Sequence, residues 1–385
     1  MSGPHDLVPA TIASAFVFGM ILALLGSIKL PLAQKLNMDE MKVGGLLAAL
    51  NLAIIPMVLV SGAIADRLGV RGILIGGSIL ASLALVALAF AESYRAAALG
   101  LVAAGAGASC LMTGAMVLMP KAFFEENPSA SINLGNVFIG FGALVTPALA
   151  DVLVRGMRLR PTLNLLALLA LLPTAAVIFT GPEAYPSRAH SSADLLLTLS
   201  DPAVWLTGLV FAFYNPLEGV LGTWATTYLT EIGDKPQRAS LFLSGFWLTF
   251  LGSRLLVSWL QQREILPENS DPWLIVFLSV TTAVILGNMA GTKDQAVGRR
   301  CLLLAGGCLG PVFPTLVGVV FEHTRPSLHG TAYGAMFAIG STGSLALPPV
   351  IGAYARRTCV RNAFRLAMLV ALLLAAVALV LSLSL

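Results

Sequence analysis

Charge is what this sequence most conspicuously lacks: Asp, Glu, Lys and Arg make up only 11% of its 385 residues. A soluble chain carries about a quarter, so an ordinary water-facing domain is excluded. With 57% hydrophobic residues and a mean hydropathy of +0.87, the chain reads as a polytopic membrane protein. Cysteine is scarce too. Cys110, Cys301, Cys308 and Cys359 show no metal-ligand spacing, and three of them fall inside apolar runs, where a small hydrophobe is the ordinary role. No Walker loop, dinucleotide glycine turn, HExxH or nucleophile elbow occurs, so neither an enzyme nor a cofactor is expected. The net charge of +4 is scattered over short loops, without the stripe that nucleic-acid binding requires. The first nine residues carry no basic stretch, so no cleavable signal peptide is expected.

What is present is apolar length. A spanning helix needs about 20 apolar residues, and such runs lie near 8–32, 43–65, 72–91, 95–119, 131–154 and 161–180. A more polar connector, 181–201, holds Pro182, Pro186, Arg188, His190 and four serines. Six further runs follow near 202–230, 239–260, 272–290, 301–321, 330–355 and 363–385. An internal repeat supports a division at the connector. Gly142 and Pro147 in the fifth run recur as Gly343 and Pro348 in the eleventh, an offset of 201. Pro128-Ser129 recurs as Pro326-Ser327, an offset of 198.

Between the second and third runs stands Gly62-Ala63-Ile64-Ala65-Asp66-Arg67-Leu68-Gly69-Val70-Arg71. A glycine lets two helices approach closely, Asp and Arg can bond at a helix end, and a second glycine permits a sharp reversal. A charged membrane turn of no special kind is the plain alternative. The spacing of Gly62, Asp66, Arg67, Gly69 and Arg71 resembles the signature loop of the major facilitator superfamily. A worn copy follows in the second half, as Gly252-Ser253-Arg254 and Gln261-Gln262-Arg263. That resemblance implies an all-α membrane fold of twelve helices in two six-helix bundles, 1–180 and 202–385, with 181–201 as a cytoplasmic linker. Gly62, Asp66, Arg67, Gly69 and Arg71 would then form a conformational gate.

The seventh run places Glu218 near its middle, where an ionised carboxylate costs about 2.5–3.5 kcal/mol on insertion scales. A carboxylate kept there is expected to face a cavity. Asn215, Glu218, Trp224 and Tyr228 fall at spacings that share a groove, and Pro216 invites a bend beside them. The pattern of Glu218, Gly222, Trp224, Thr227 and Tyr228 is similar to the seventh span of the fucose/glucose–galactose symporter branch. The run from Asn133 to Gly142 and the segment Gly310-Pro311-Val312-Phe313-Pro314-Thr315 are similar to that branch as well. A monosaccharide or related small polar solute is the cargo this implies. Sugars need paired amides, which Asn133 and Asn136 offer one helical turn apart, and a flat aromatic face, which Trp224 offers. Phe313 joins this candidate lining. The competing account is that intramembrane asparagines hold helices together and that Trp224 packs or anchors at the interface.

Two positions depart from the branch. Its proton-coupled members carry carboxylates in the first and fourth spans, where this chain has Ser27 and Met112. Glu218 is then the remaining candidate for a coupling proton, and uniport stands beside symport. Lys29 lies near the end of its run and either snorkels to the interface or faces the cavity and binds an anion. Through the 201 offset it stands about 12 residues from Glu218 in depth, roughly 18 Å, so the two are not expected to pair.

By the resemblance, the signature loop and both termini face the cytoplasm of the plasma (inner) membrane. Basic residues then number six on the inner loops (Arg67, Arg71, Lys121, Arg188, Arg263, Arg325) and fifteen on the outer side. The positive-inside rule expects the reverse. The motif outweighs it, because the motif is tied to a specific structural device. The reading is therefore a monomeric transporter in the lipid bilayer that moves a small molecule by alternating access. Rival readings are an organic-anion (for example sugar-acid) transporter and a non-transporting nutrient sensor.

Overall fold

The computed structural model describes residues 4–180, 192–267 and 269–385. Twelve helices there are long and apolar enough to cross a membrane: Val8–Leu36, Met41–Leu68, Val70–Phe90, Tyr94–Ala122, Pro128–Met157, Leu159–Phe179, Pro202–Glu231, Pro236–Gln262, Asp271–Gly291, Gln295–Glu322, Pro326–Arg357 and Val360–Ser384. We call them spans one to twelve. Each overlies one of the predicted runs. Most extend past it, because the charged and polar residues flanking an apolar run continue or cap the helix. Asp39 accepts the Lys42 N–H at 2.8 Å, Asp201 that of Ala203 at 2.8 Å, and Asp294 that of Ala296 at 2.7 Å. The connector ends in a short helix, Ser192–Ser200, and its residues 181–191 lie outside the described ones.

Proline decides where spans break. Span six is two helices, Leu159–Leu169 and Leu172–Phe179, because Pro173 offers no N–H to the Leu169 carbonyl. Span ten likewise divides into Gln295–Leu309 and Val312–Glu322, around Pro311 and Pro314. Pro216 in span seven and Pro147 in span five lie inside unbroken helices.

The chain packs as two compact units. The first comprises Met1–Glu126, Gly135–Thr198 and Thr324–Gly334; the second comprises Asn127–Leu134, Leu199–His323 and Ala335–Leu385. Within the first, the backbone of Gly142 in span five lies on the Phe16 carbonyl of span one, where any Cβ would overlap it. Within the second, Gly343 of span eleven lies in the same way on the Ala212 carbonyl of span seven. Ala212 is the residue whose helical donor Pro216 removes, so Gly343 covers an orphaned carbonyl. The repeat seen in sequence is thus also a repeat of packing, fifth span on first and eleventh on seventh.

Candidate functional site

The signature loop is built around a reversal at Gly69, whose φ of +86° L side chains rarely adopt. Its N–H closes span two on the Ala65 carbonyl at 2.9 Å. The neighbouring Asp66 carboxylate is only 7% exposed. It accepts the backbone N–H of Gly330 at 3.0 Å and of Thr331 at 2.6 Å. These are early N–H groups of the helix His329–Arg357, which have no partner inside their own helix. A carboxylate there also complements the positive end of the helix. One turn earlier, Gly62 lets the Gly330 carbonyl approach so closely that a Cβ would overlap it. Gly62 and Asp66 therefore form one receptor for the start of span eleven. Arg67 is exposed, and Arg71 keeps a buried Nε that has no hydrogen-bond partner among the described residues.

In the second unit, two buried polar side chains lie near Glu218. The Tyr214 hydroxyl, one turn before it, donates to Glu218 Oε2 at 2.9 Å. From span eight, Arg254 lies within electrostatic reach of both the hydroxyl and the carboxylate. Arg254 is 6% exposed. Its Nε donates to the Gly310 carbonyl of span ten at 2.8 Å, and its guanidinium lies 4.5 Å over the Phe250 ring. The Gly310 carbonyl is available because its helical donor would be residue 314, which is proline. An aromatic group continues the cluster: Phe211 stacks on Tyr214 at 6.1 Å and meets Phe313 at 4.9 Å and Phe337 at 5.3 Å. Carboxylate, hydroxyl, guanidinium and aromatic wall are the donor and acceptor set from which a small polar solute can be bound and a proton held.

The other expected residues separate. Asn215 is half-buried and makes no hydrogen bond among the described residues. Trp224 is half-buried against the backbone of Gly352. Tyr228 is fully buried on another side of its helix, its hydroxyl donating to the Met289 carbonyl at 3.1 Å and its ring edge-on to Phe364 at 5.0 Å. Asn133, with no exposed surface, donates to the Ser129 carbonyl at 3.0 Å and to Thr315 Oγ1 at 3.1 Å, while its own Oδ1 has no partner. Asn136, packed in the first unit, sets its Nδ2 3.8 Å from Met116 Sδ. Lys29 is exposed and makes no hydrogen bond or ion pair among the described residues. At the two departures from the branch, Ser27 bonds back to the Ala23 carbonyl of its own helix at 2.8 Å, and Met112 is packed in the core.

Several basic residues counted toward the outer side are held in place locally. Arg299 grips the buried Asp234 carboxylate, with Nε at 2.8 Å from Oδ2, and bonds Gln295 at 2.8 Å. Arg155 pairs with Asp151 at 2.9 Å, Lys35 donates to the Ala89 carbonyl at 2.9 Å, and Arg160 lies 3.7 Å over the Phe90 ring. Of these, Arg299 is partly buried on a buried carboxylate, while Arg155, Lys35 and Arg160 are exposed.

Tyr214 and Phe211 were not singled out in sequence. A Tyr four residues before a membrane carboxylate is the signal that marks the first. Twelve spanning helices with a buried polar cluster in mid-span are an arrangement that carriers of small solutes use. The chain belongs to the major facilitator superfamily, matching its sequence profile over residues 10–348. It is a secondary transporter and not an enzyme. Among curated relatives, the 3-(3-hydroxy-phenyl)propionate transporter of Escherichia coli (strain K12) is 24% identical over 339 residues, 83% of this chain and 79% of that one. Bypass of stop codon protein 6 of Saccharomyces cerevisiae is 25% identical over 181 residues. That match takes in 46% of this chain and spans about a third of the yeast protein's length, 36%. Among solved structures, the transporter FucP in its outward conformation superposes with a TM-score of 0.79 at 18% identity, over 98% of this chain and 99% of that one. At that identity the likeness is one of fold.

Proposed function

We propose that this transporter moves a monosaccharide or a related small polar solute by alternating access, with Glu218 as the residue that takes up and releases a coupling proton. The observation that carries this reading is the hydrogen bond from Tyr214 to Glu218 in the middle of span seven, beside Arg254. A carboxyl there is costly to hold ionised in an apolar surround, and its protonation is the ordinary relief. Asn215 and Trp224, in the same unit as Glu218, are assigned to the cargo as amide and aromatic partners. The chain is taken to work in the plasma (inner) membrane as two six-helix bundles, 1–180 and 202–385, with both termini cytoplasmic.

A second reading is an organic anion as cargo. Arg254 and the Phe211–Phe313–Phe337 cluster favour it, since together they offer a cation and an apolar wall. The name of the Escherichia coli relative, an aromatic acid transporter, points the same way.

Uptake into proteoliposomes decides between them. Radiolabelled hexoses, a sugar acid and an aromatic acid are supplied separately, each with and without an inward proton gradient. The sugar reading expects hexose uptake that the gradient drives and that Glu218→Gln makes indifferent to it. Accumulation of the acids alone replaces the sugar with the anion. Gradient-driven flux that persists in Glu218→Gln removes Glu218 from the coupling step.

A further inference from the structure

Span ten has a break at its centre, and the broken backbone has an unusual partner. Pro314 cannot supply the N–H that the Gly310 carbonyl would receive in a continuous helix. A buried carbonyl left so is costly, because it loses its hydrogen bond to water and gains none in the protein. Arg254 of span eight fills the gap, its Nε donating to that carbonyl at 2.8 Å. The approach is close by design. A Cβ on Gly310 would overlap the Phe250 carbonyl and the Ser253 hydroxyl of span eight.

The same guanidinium has a second commitment. It lies within electrostatic reach of the Tyr214 hydroxyl and of Glu218, and Tyr214 itself donates to Glu218 at 2.9 Å. Tyr214 and Arg254 are the titratable groups that bear on Glu218, and Tyr214 and Glu218 are those that bear on Arg254. No direct ion pair joins Arg254 to Glu218 within 4.0 Å among the described residues. One side chain thus answers both to the carboxylate of span seven and to the break in span ten.

We infer that Arg254 is a positioning residue that couples the occupancy of Glu218, by a proton or by cargo, to the conformation of span ten at Gly310–Pro314. With Glu218 charged, the guanidinium is shared between the Tyr214–Glu218 pair and the Gly310 carbonyl. When Glu218 is neutralised, the pull toward span seven falls, and the break settles into a different geometry around Arg254. This rests on the reading of Glu218 as the proton-accepting group.

The chain carries its own reporter. Cys308 lies two residues before Gly310 and is partly accessible. Full-length protein in which Cys110, Cys301 and Cys359 are replaced by serine is reconstituted, and the rate of Cys308 alkylation by a small maleimide is measured across pH, corrected with a free thiol standard. The corrected rate is expected to change by at least about fivefold between acid and alkaline pH, the low end of ordinary coupling between two sites. Glu218→Gln should lock it at the acid value.

Two variants then test Arg254. Arg254→Lys keeps the charge but loses the planar donor that reaches two partners at once. Pro314→Ala leaves Arg254 untouched and returns to Gly310 its own helical N–H. Both should flatten the pH response of Cys308, and Pro314→Ala should do so in a chain that still melts cooperatively in detergent. A wild-type pH response in either variant overturns the role of Arg254, while a flat response in Glu218→Gln at the same time leaves the reading of Glu218 standing. A pH response that survives in Glu218→Gln overturns both.

Discussion

Thr331 gives its backbone N–H to the carboxylate of Asp66 at 2.6 Å, although 265 positions separate them in sequence. A side chain at the end of span two thus acts as the cap of span eleven, a place that a residue just before a helix usually fills. Because the carboxylate is buried and serves two donors, it is worth more than a surface cap.

Replacing Asp66 should therefore lower stability without touching the cargo. Asp66→Ala leaves the N–H groups of Gly330 and Thr331 unpaired, a cost of about 1–3 kcal/mol. Asp66→Asn should lose less, since its carbonyl oxygen still accepts one of them. Melting in detergent measures the order wild type, Asn, Ala. The cargo-dependent shift in melting temperature should be the same in all three; a variant that melts as wild type but no longer responds to cargo would place Asp66 in the binding site instead.

The two glycines at repeated positions give a paired expectation. Gly142→Ala and Gly343→Ala each push a Cβ into a backbone carbonyl that cannot swing aside, and each should cost about 1–3 kcal/mol as overpacking does. Gly26→Ala is the control, for a Cβ at Gly26 meets nothing within 4 Å. Equal expression and melting of all three variants would mean that the helix pairs relax more freely than this packing implies.

Arg299 and Asp234 form a pair whose carboxylate side chain is 1% exposed and whose guanidinium is 17% exposed. Removing one partner strands the other. Arg299→Ala is expected to lower the melting temperature, because it strands the Asp234 carboxylate without its partner. The double variant Arg299→Ala, Asp234→Ala should recover much of that loss, so a double-mutant cycle in melting or in folded yield distinguishes a stranded charge from mere loss of packing. Simple additivity is the result that would contradict the pairing.

The spans were legible from sequence because membrane helices need long apolar runs, and the chain has twelve of them. The signature loop was legible as well, since two glycines and one Asp at fixed spacing have backbone jobs that other residues cannot do. Glu218 stood out because charge is so rare around it. What spacing could not give was direction around the helix. Asn133 and Asn136 are three residues apart, which turns the second about 60° from the first. That is enough to set one on Thr315 of span ten and the other beside Met116 of span four. Tyr228 and Glu218 likewise share a helix but not a face. Arg254 was visible as a charge in an apolar run, but its partner is a backbone carbonyl. Only the proline four residues beyond Gly310 announces that such a carbonyl is free.

The placing of residues Thr324–Gly334 within the first unit has a consequence for how the chain is made. Gly330 follows Asp66 by 264 positions. At ordinary synthesis rates of about 5–20 residues per second, roughly 13–53 s pass before the donors for that carboxylate exist. Through that interval Asp66 lacks the two backbone donors that it has in the folded chain. The first unit to emerge from the ribosome is therefore completed by one of the last helices, and a truncation before span eleven would leave it with an empty receptor at Gly62 and Asp66.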